Sequence, residues 1–139
     1  MINNRQVRRV LVATDFSANG DQAVSWAYAV ARPGGFVKLV HVITSKKIPT
    51  RRSIIEAQNK LKALVPANAS AEGIESETEV LMASDPAKAI GVAGRSFGPD
   101  ILCLGARGHG LIVNPLAGSV ARAVMEQNRQ PVLLVPAIS

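Results

Sequence analysis

Cysteine is almost absent from this chain of 139 residues: Cys103 stands alone, which excludes an intrachain disulfide. It lies in the apolar run Ile101-Leu102-Cys103-Leu104, where a thiol serves as a small buried hydrophobe and not as a reactive group. Histidine is scarce as well. His41 and His109 stand far apart, with neither a cysteine pair nor an HExxH spacing nearby, so no structural zinc site is expected. Aromatic residues make up only 4% of the chain, too few to build a stacking platform for nucleic acid. No apolar run approaches the length of a membrane span. The start Met1-Ile2-Asn3-Asn4-Arg5 leads straight toward a strand, without the apolar segment of a secretory signal, and the cytoplasm is the expected location. A Gly-x4-Gly-Lys-Ser/Thr loop is missing too, which excludes the commonest ATPase cradle.

What remains is a globular composition, 47% apolar and 19% charged, of a size that fits one domain over residues 1–139. The net charge is +6, with basic clusters at Arg5, Arg8 and Arg9 and at Lys46, Lys47, Arg51 and Arg52. An acidic stretch, Glu72, Glu75, Glu77 and Glu79, opposes them. No recognition helix accompanies the basic clusters, so they read as solvated faces and not as a nucleic-acid surface.

Strand-like and helix-like segments alternate along the chain. Val7–Thr14 reads as a first strand, and Ser17 is placed to cap a helix through Ala23, Val24, Ala27, Tyr28 and Ala31 that Pro33-Gly34-Gly35 stops. Phe36–Ile43 is a second strand. Ile54, Ile55, Leu61, Leu64 and Val65 mark a second helix closed by Pro66. In a third strand, Ile74 to Met82, Glu75, Glu77 and Glu79 alternate with Ile74, Ser76, Thr78 and Val80, the pattern of a sheet edge with one wet face. Asp85-Pro86 opens a third helix that ends at Gly98-Pro99. Asp100 to Leu104 is a fourth strand, a fourth helix starts near Gly118, and Pro131–Pro136 holds a fifth strand. Such alternation predicts an α/β fold, a doubly wound parallel sheet with helices on both faces, whose ligand lies beyond the carboxyl ends of the strands.

The most informative stretch is Gly105-Ala106-Arg107-Gly108, then nine residues, then Gly118-Ser119. It links a strand to a helix start. Glycine lets a ligand approach the backbone closely, and the N–H groups and dipole of a helix start favour an anion. On this chemistry alone a phosphate cradle and a structural turn are both open.

The full spacing resembles the nucleotide-binding signature of the universal stress protein family: Gly, two residues, Gly, nine residues, Gly, then Ser or Thr. Supporting pieces run along nearly the whole chain: Val12-Ala13-Thr14-Asp15-Phe16-Ser17, Leu39-Val40-His41-Val42, Ser84-Asp85-Pro86 and Pro131-Val132-Leu133-Leu134-Val135. The resemblance implies a five-stranded sheet of order 3-2-1-4-5, grouped with the adenine nucleotide alpha hydrolase-like folds. It also implies ATP, or AMP or another adenine nucleotide, as ligand. Asp15 then contacts ribose or adenine, Ala13 and Thr14 line the pocket, and Val42 offers its backbone to adenine. Gly105, Gly108, Gly118 and Ser119 receive the phosphates, with Val120 and Ala121 beside them, and Ser119 reaches a magnesium ion held by those phosphates.

Competing roles stay open for several of these residues. Asp15 could cap the first helix, Val42 is also a core residue, and His41 reads as a satisfied sheet histidine. Arg107 is either a phosphate donor or a solvated charge, and His109 is a loop residue without chemistry. The segment Thr44–Pro66 is short for the family, which implies a small or open lid, and Pro115 stiffens the nine-residue spacer. The resemblance implies a regulatory, ATP-binding protein of the stress response, with no evident catalytic machinery. The alternatives are a slow ATPase or phosphotransferase using Ser119, Arg107 and magnesium, and a dimeric interaction module that binds no nucleotide. A homodimer through the last strand is expected, because Val132, Leu133, Leu134 and Val135 would otherwise form an open apolar edge.

Overall fold

A computed structural model of the chain describes residues 6–44, 48–106, 119–127 and 129–137. Among them, strands and helices alternate strictly: β1 (Arg9–Ala13), α1 (Ala18–Val30), β2 (Phe36–Ile43), α2 (Arg51–Leu64), β3 (Glu75–Met82), α3 (Pro86–Phe97), β4 (Ile101–Gly105), α4 (Ser119–Gln127) and β5 (Val132–Val135). The five strands form one sheet in the order β3-β2-β1-β4-β5, and every neighbouring pair is parallel. This is the doubly wound α/β class expected from the alternation, in the strand order that the resemblance implies.

Strand alternation divides the apolar side chains into two cores. Val10 and Val12 of β1, Val37 and Leu39 of β2 and Cys103 of β4 pack with Ala23, Val24 and Ala27 of α1 and Leu61 of α2. On the other face, Leu11 and Ala13 of β1, Val40 of β2, and Leu102 and Leu104 of β4 meet Ala87, Ile90 and Ala93 of α3 and Ala121 and Val124 of α4. Leu11, Leu39 and Leu102 are fully buried, as expected for central parallel strands covered on both sides.

Local chemistry sets the ends of the elements. Ser17 caps α1 by accepting from the Gly20 N–H, as expected. Asp85 caps α3 with Pro86 in the first turn, and Gly98 in the left-handed region closes it. The second helix begins ahead of its first apolar residue, Ile54, because Thr50 accepts from the Ser53 N–H and caps it. β3 begins one residue after Ile74, whose N–H is bonded to Ala69 O in the preceding turn. Its alternation holds: Glu75, Glu77 and Glu79 are exposed on the α3 side, while Val80 packs into the core of the opposite face. Arg9, counted among the basic clusters, has a structural role. Its guanidinium donates to Phe97 O at 3.2 and 2.8 Å and lies 4.1 Å from the Phe97 ring centroid.

Candidate functional site

Three strands carry expected site residues to one end of the sheet. Ala13, the last residue of β1, pairs with Val40 of β2 on one side and Leu104 of β4 on the other. The chain therefore leaves the sheet through Thr14 and Asp15 with Val42 and Gly105 on the flanking strands. The winding reverses here: β2 and β3 extend the sheet to one side of β1, and β4 and β5 to the other. A crevice outside such a reversal is where doubly wound sheets hold ligands.

The turn from β1 into α1 is built from a chain of hydrogen bonds. Thr14 is 4% exposed, and its polar groups are committed to the fold. Its N–H donates to Val40 O at 3.0 Å, and its hydroxyl donates to Asp21 and accepts from the Phe16 N–H, each at 3.0 Å. Asp15 accepts through Oδ1 from both the N–H and the hydroxyl of Ser17, and Ser17 in turn accepts from Gly20. Ser17 is thus the cap of α1 and Asp15 braces it, a variant of the capping role left open for Asp15. The arrangement fixes the carboxylate just beyond the carboxyl end of β1.

His41 donates from Nδ1 to Thr14 O at 2.8 Å, the satisfied sheet histidine expected from its apolar strand. A carbonyl only accepts, so the hydrogen of this bond sits on Nδ1. Phe16 stacks on this imidazole with centroids 4.2 Å apart, and Lys60 of α2 lies 5.3 Å from the Phe16 centroid on its ammonium end. Phe16 has φ of 65°, a left-handed conformation that costs a bulky residue about 1–3 kcal/mol. The stack and the Thr14 bond hold it there.

Two glycines allow the close approach of α1 to this end of the sheet. A Cβ on Gly20 would stand 2.6 Å from the Thr14 hydroxyl and 2.8 Å from Asp15 Oδ1. A Cβ on Gly105 would stand 2.7 Å from Asn19 Oδ1. Asn19 is 7% exposed and donates from Nδ2 to Val135 O at 2.8 Å, joining α1 to β5. Packing alone therefore requires glycine at 105, whatever the ligand. Sequence reasoning missed Phe16, Asn19, Gly20 and Asp21. The one available signal was Gly20, a residue unfavourable inside a helix and placed in its first turn.

The remaining expected residues divide in two. Val42 packs partly buried against the α3–α4 core, and Val120 and Ala121, in the first turn of α4, belong to the same cluster as Ala13 and Leu104. Ser119 is the first residue of α4. Arg107, Gly108 and Gly118 lie outside the described residues, as does His109. Among the described residues no group of His, Cys, Asp and Glu side chains could hold a metal ion, and no helix is long and apolar enough to cross a membrane.

Solved structures share this architecture. A hypothetical protein from a structural-genomics test case superposes with a TM-score of 0.80 at 23% identity, over 97% of this chain and 99% of its own. A universal stress protein from Archaeoglobus fulgidus in complex with dAMP superposes with a TM-score of 0.72 at 25% identity, over 94% of this chain and 99% of its own. For a universal stress protein in complex with cAMP the values are 0.68 and 22%, over 95% and 98%. No curated protein matches the sequence. The profile of the universal stress protein family does match it, across residues 6–136, a span that runs from the approach to β1 to the end of β5. The chain belongs to the universal stress protein family.

Proposed function

We propose that this protein binds an adenine nucleotide, ATP in the first instance, at the carboxyl ends of β1, β2 and β4, and that it acts as a regulatory binding protein of the stress response. The observation that carries the reading is the convergence of Asp15, just past the end of β1, and Gly105, at the end of the adjacent β4, at the winding reversal, with the first turn of α4 packed beside Ala13 and Leu104. The complexes of family members with dAMP and cAMP support an adenine nucleotide as the class of ligand.

The residues present fit such a ligand. A carboxylate braced at the end of β1 suits the hydroxyls of a ribose. α4 has nine residues, so the orphan N–H groups of its first turn and its dipole favour phosphate. Gly108 and Gly118 of the signature, with Arg107 between the first two glycines, belong to the same proposed cradle. Ser119 would share a magnesium ion with the bound phosphates, neutralising charge that the chain's own groups leave over. The roles divide along the crevice: Asp15 and the Val42 backbone hold the nucleoside, and the glycine loop and α4 hold the phosphates.

Calorimetric titration of nucleotide-stripped protein with ATP and magnesium, beside AMP and GTP, tests the proposal. Micromolar binding of ATP that is lost in Gly118→Val supports it. Silence toward every nucleotide would leave the interaction module as the reading. We further propose a homodimer through β5, which ends the sheet with Val132, Leu133 and Leu134 only half-buried. A monomer by light scattering at high concentration would overturn that assembly.

A further inference from the structure

α1 is a surface helix with the composition of a covered one. From Gln22 to Ala31 it carries no charged residue, although Ser25, Trp26 and Ala29 face solvent. α2, which packs into the same core, exposes Arg51, Arg52, Glu56, Lys60 and Lys62. Trp26, the only tryptophan of the chain, is 52% exposed. An exposed aromatic side chain in surroundings emptied of charge has the make-up of an interface core and not of a solvated face.

The contacts of α1 set Trp26 toward β5. On one flank of the helix the Tyr28 hydroxyl meets Ser76 of β3 at 2.6 Å. On the other flank Asn19 reaches Val135 of β5 and also bonds Gln22. Trp26 follows Gln22 by four residues and Asn19 by seven, about one turn and two, so it continues the β5 flank. There β5 ends the sheet, and its Leu133 packs against the α1-side core while only half-buried. Trp26 and the open edge of β5 thus share one border of the molecule.

We propose that Trp26 is the anchor by which two copies of this chain pack α1 against α1 above paired β5 strands, an inference that rests on the homodimer proposed above. A twofold axis that pairs two identical edge strands antiparallel stands perpendicular to the sheet, so α1 and its mate lie on the same face. From one β4 to the other there are then three strand spacings, about 14 Å, and α1 packs on β4, β1 and β5. Two helices in direct contact sit only about 8–10 Å apart. Pairing of β5 therefore leaves a trough between the helices, floored by Leu133 of both strands, that takes a large side chain to fill. Trp26 is the large side chain on that flank. A second copy is the occupant because one symmetric contact closes the β5 edge and covers Trp26 together. The inference does not depend on nucleotide binding.

As the chain's only indole, Trp26 reports its own burial. Serial dilution of the full chain, followed by light scattering and by tryptophan emission, provides the test. The expected result is a shift of emission to longer wavelength with the same midpoint as the fall in mass from dimer to monomer. Trp26→Lys should weaken the dimer about a hundredfold, since each dimer loses two anchors at about tenfold apiece. Ile48→Lys, at a position 94% exposed ahead of α2 on the β2–β3 side, should leave the mass transition where it is. Both are surface positions, so both variants should keep the fold, which circular dichroism checks. Emission that stays fixed while the mass halves, a dimer as tight in Trp26→Lys as in the wild type, or equal weakening by Ile48→Lys would overturn the inference and spare the β5 pairing. A monomer at every concentration would overturn both.

Discussion

Gly105 has two reasons to be glycine, and they can be separated. A methyl group there would press on the Asn19 carboxamide, which is buried and tied to Val135, so Gly105→Ala should destabilise the fold by about 1–3 kcal/mol. Urea unfolding of Gly105→Ala, Asn19→Ala and the double variant should show strong coupling between the two sites. The stability effect should appear with no nucleotide present. A ligand reading of the glycine signature is legible in the sequence; the Asn19 contact is not, because residues 19 and 105 meet only after β1 and β4 pair. Phe16 illustrates the same limit, since nothing in Asp15-Phe16-Ser17 announces a positive φ that depends on stacking with His41 in another strand. Cys103 is the opposite case, fully legible from its apolar neighbours. Burial pushes its thiol from the ordinary 9.0 up to about 12. The buried thiol therefore contributes its full stability below pH about 9 and loses it as pH rises toward about 12. Cys103→Ala should flatten the alkaline decline seen in urea unfolding, leaving the smaller part due to Tyr28, whose phenol burial also pushes up. Folded protein should resist thiol reagents at neutral pH and react once unfolded.

The elements were legible mainly through their ends. Ser17, Asp85-Pro86 and Gly98 are chemical signals that act within a few residues, and each stands where the structure uses it. The start of α2 was obscured because its apolar period begins at Ile54, whereas Thr50 opens the helix by a local hydrogen bond. The turn into α1 joins stability to function through Asp15, and two substitutions pull these apart. Asparagine retains an oxygen that accepts from Ser17, so Asp15→Asn should keep stability within about 0.5 kcal/mol while weakening nucleotide binding. Asp15→Ala should lose both. Ser17→Ala removes the cap itself and should cost about 1 kcal/mol without abolishing binding. Thermal unfolding and calorimetry on the same three variants check this ordering. Persistence of wild-type affinity in Asp15→Asn would remove the carboxylate from the proposed site.

For the whole molecule, strict alternation carried the doubly wound class, and the resemblance supplied the order 3-2-1-4-5 that the strand pairs display. The wet face of β3 was legible from its alternating glutamates, and it stays exposed because α3 settles on β1 and β2. A ligand that binds the folded state alone raises stability by mass action, about 2.7 kcal/mol at one hundred times its Kd. ATP with magnesium should therefore raise the melting temperature of the wild type and leave that of Gly118→Val unmoved, as a thermal shift assay would show. The bond from Asn19 to Val135 gives the fold a dependence on order of synthesis. The first helix emerges from the ribosome more than a hundred residues ahead of the carbonyl that completes it. Until β5 arrives, the outer edge of β4 awaits its partner, and a nascent chain halted before Val132 presents that edge to whatever chaperone or neighbouring strand is at hand. Pairing of β5 with β4 is the step that ties the first turn of α1 to the edge of the sheet.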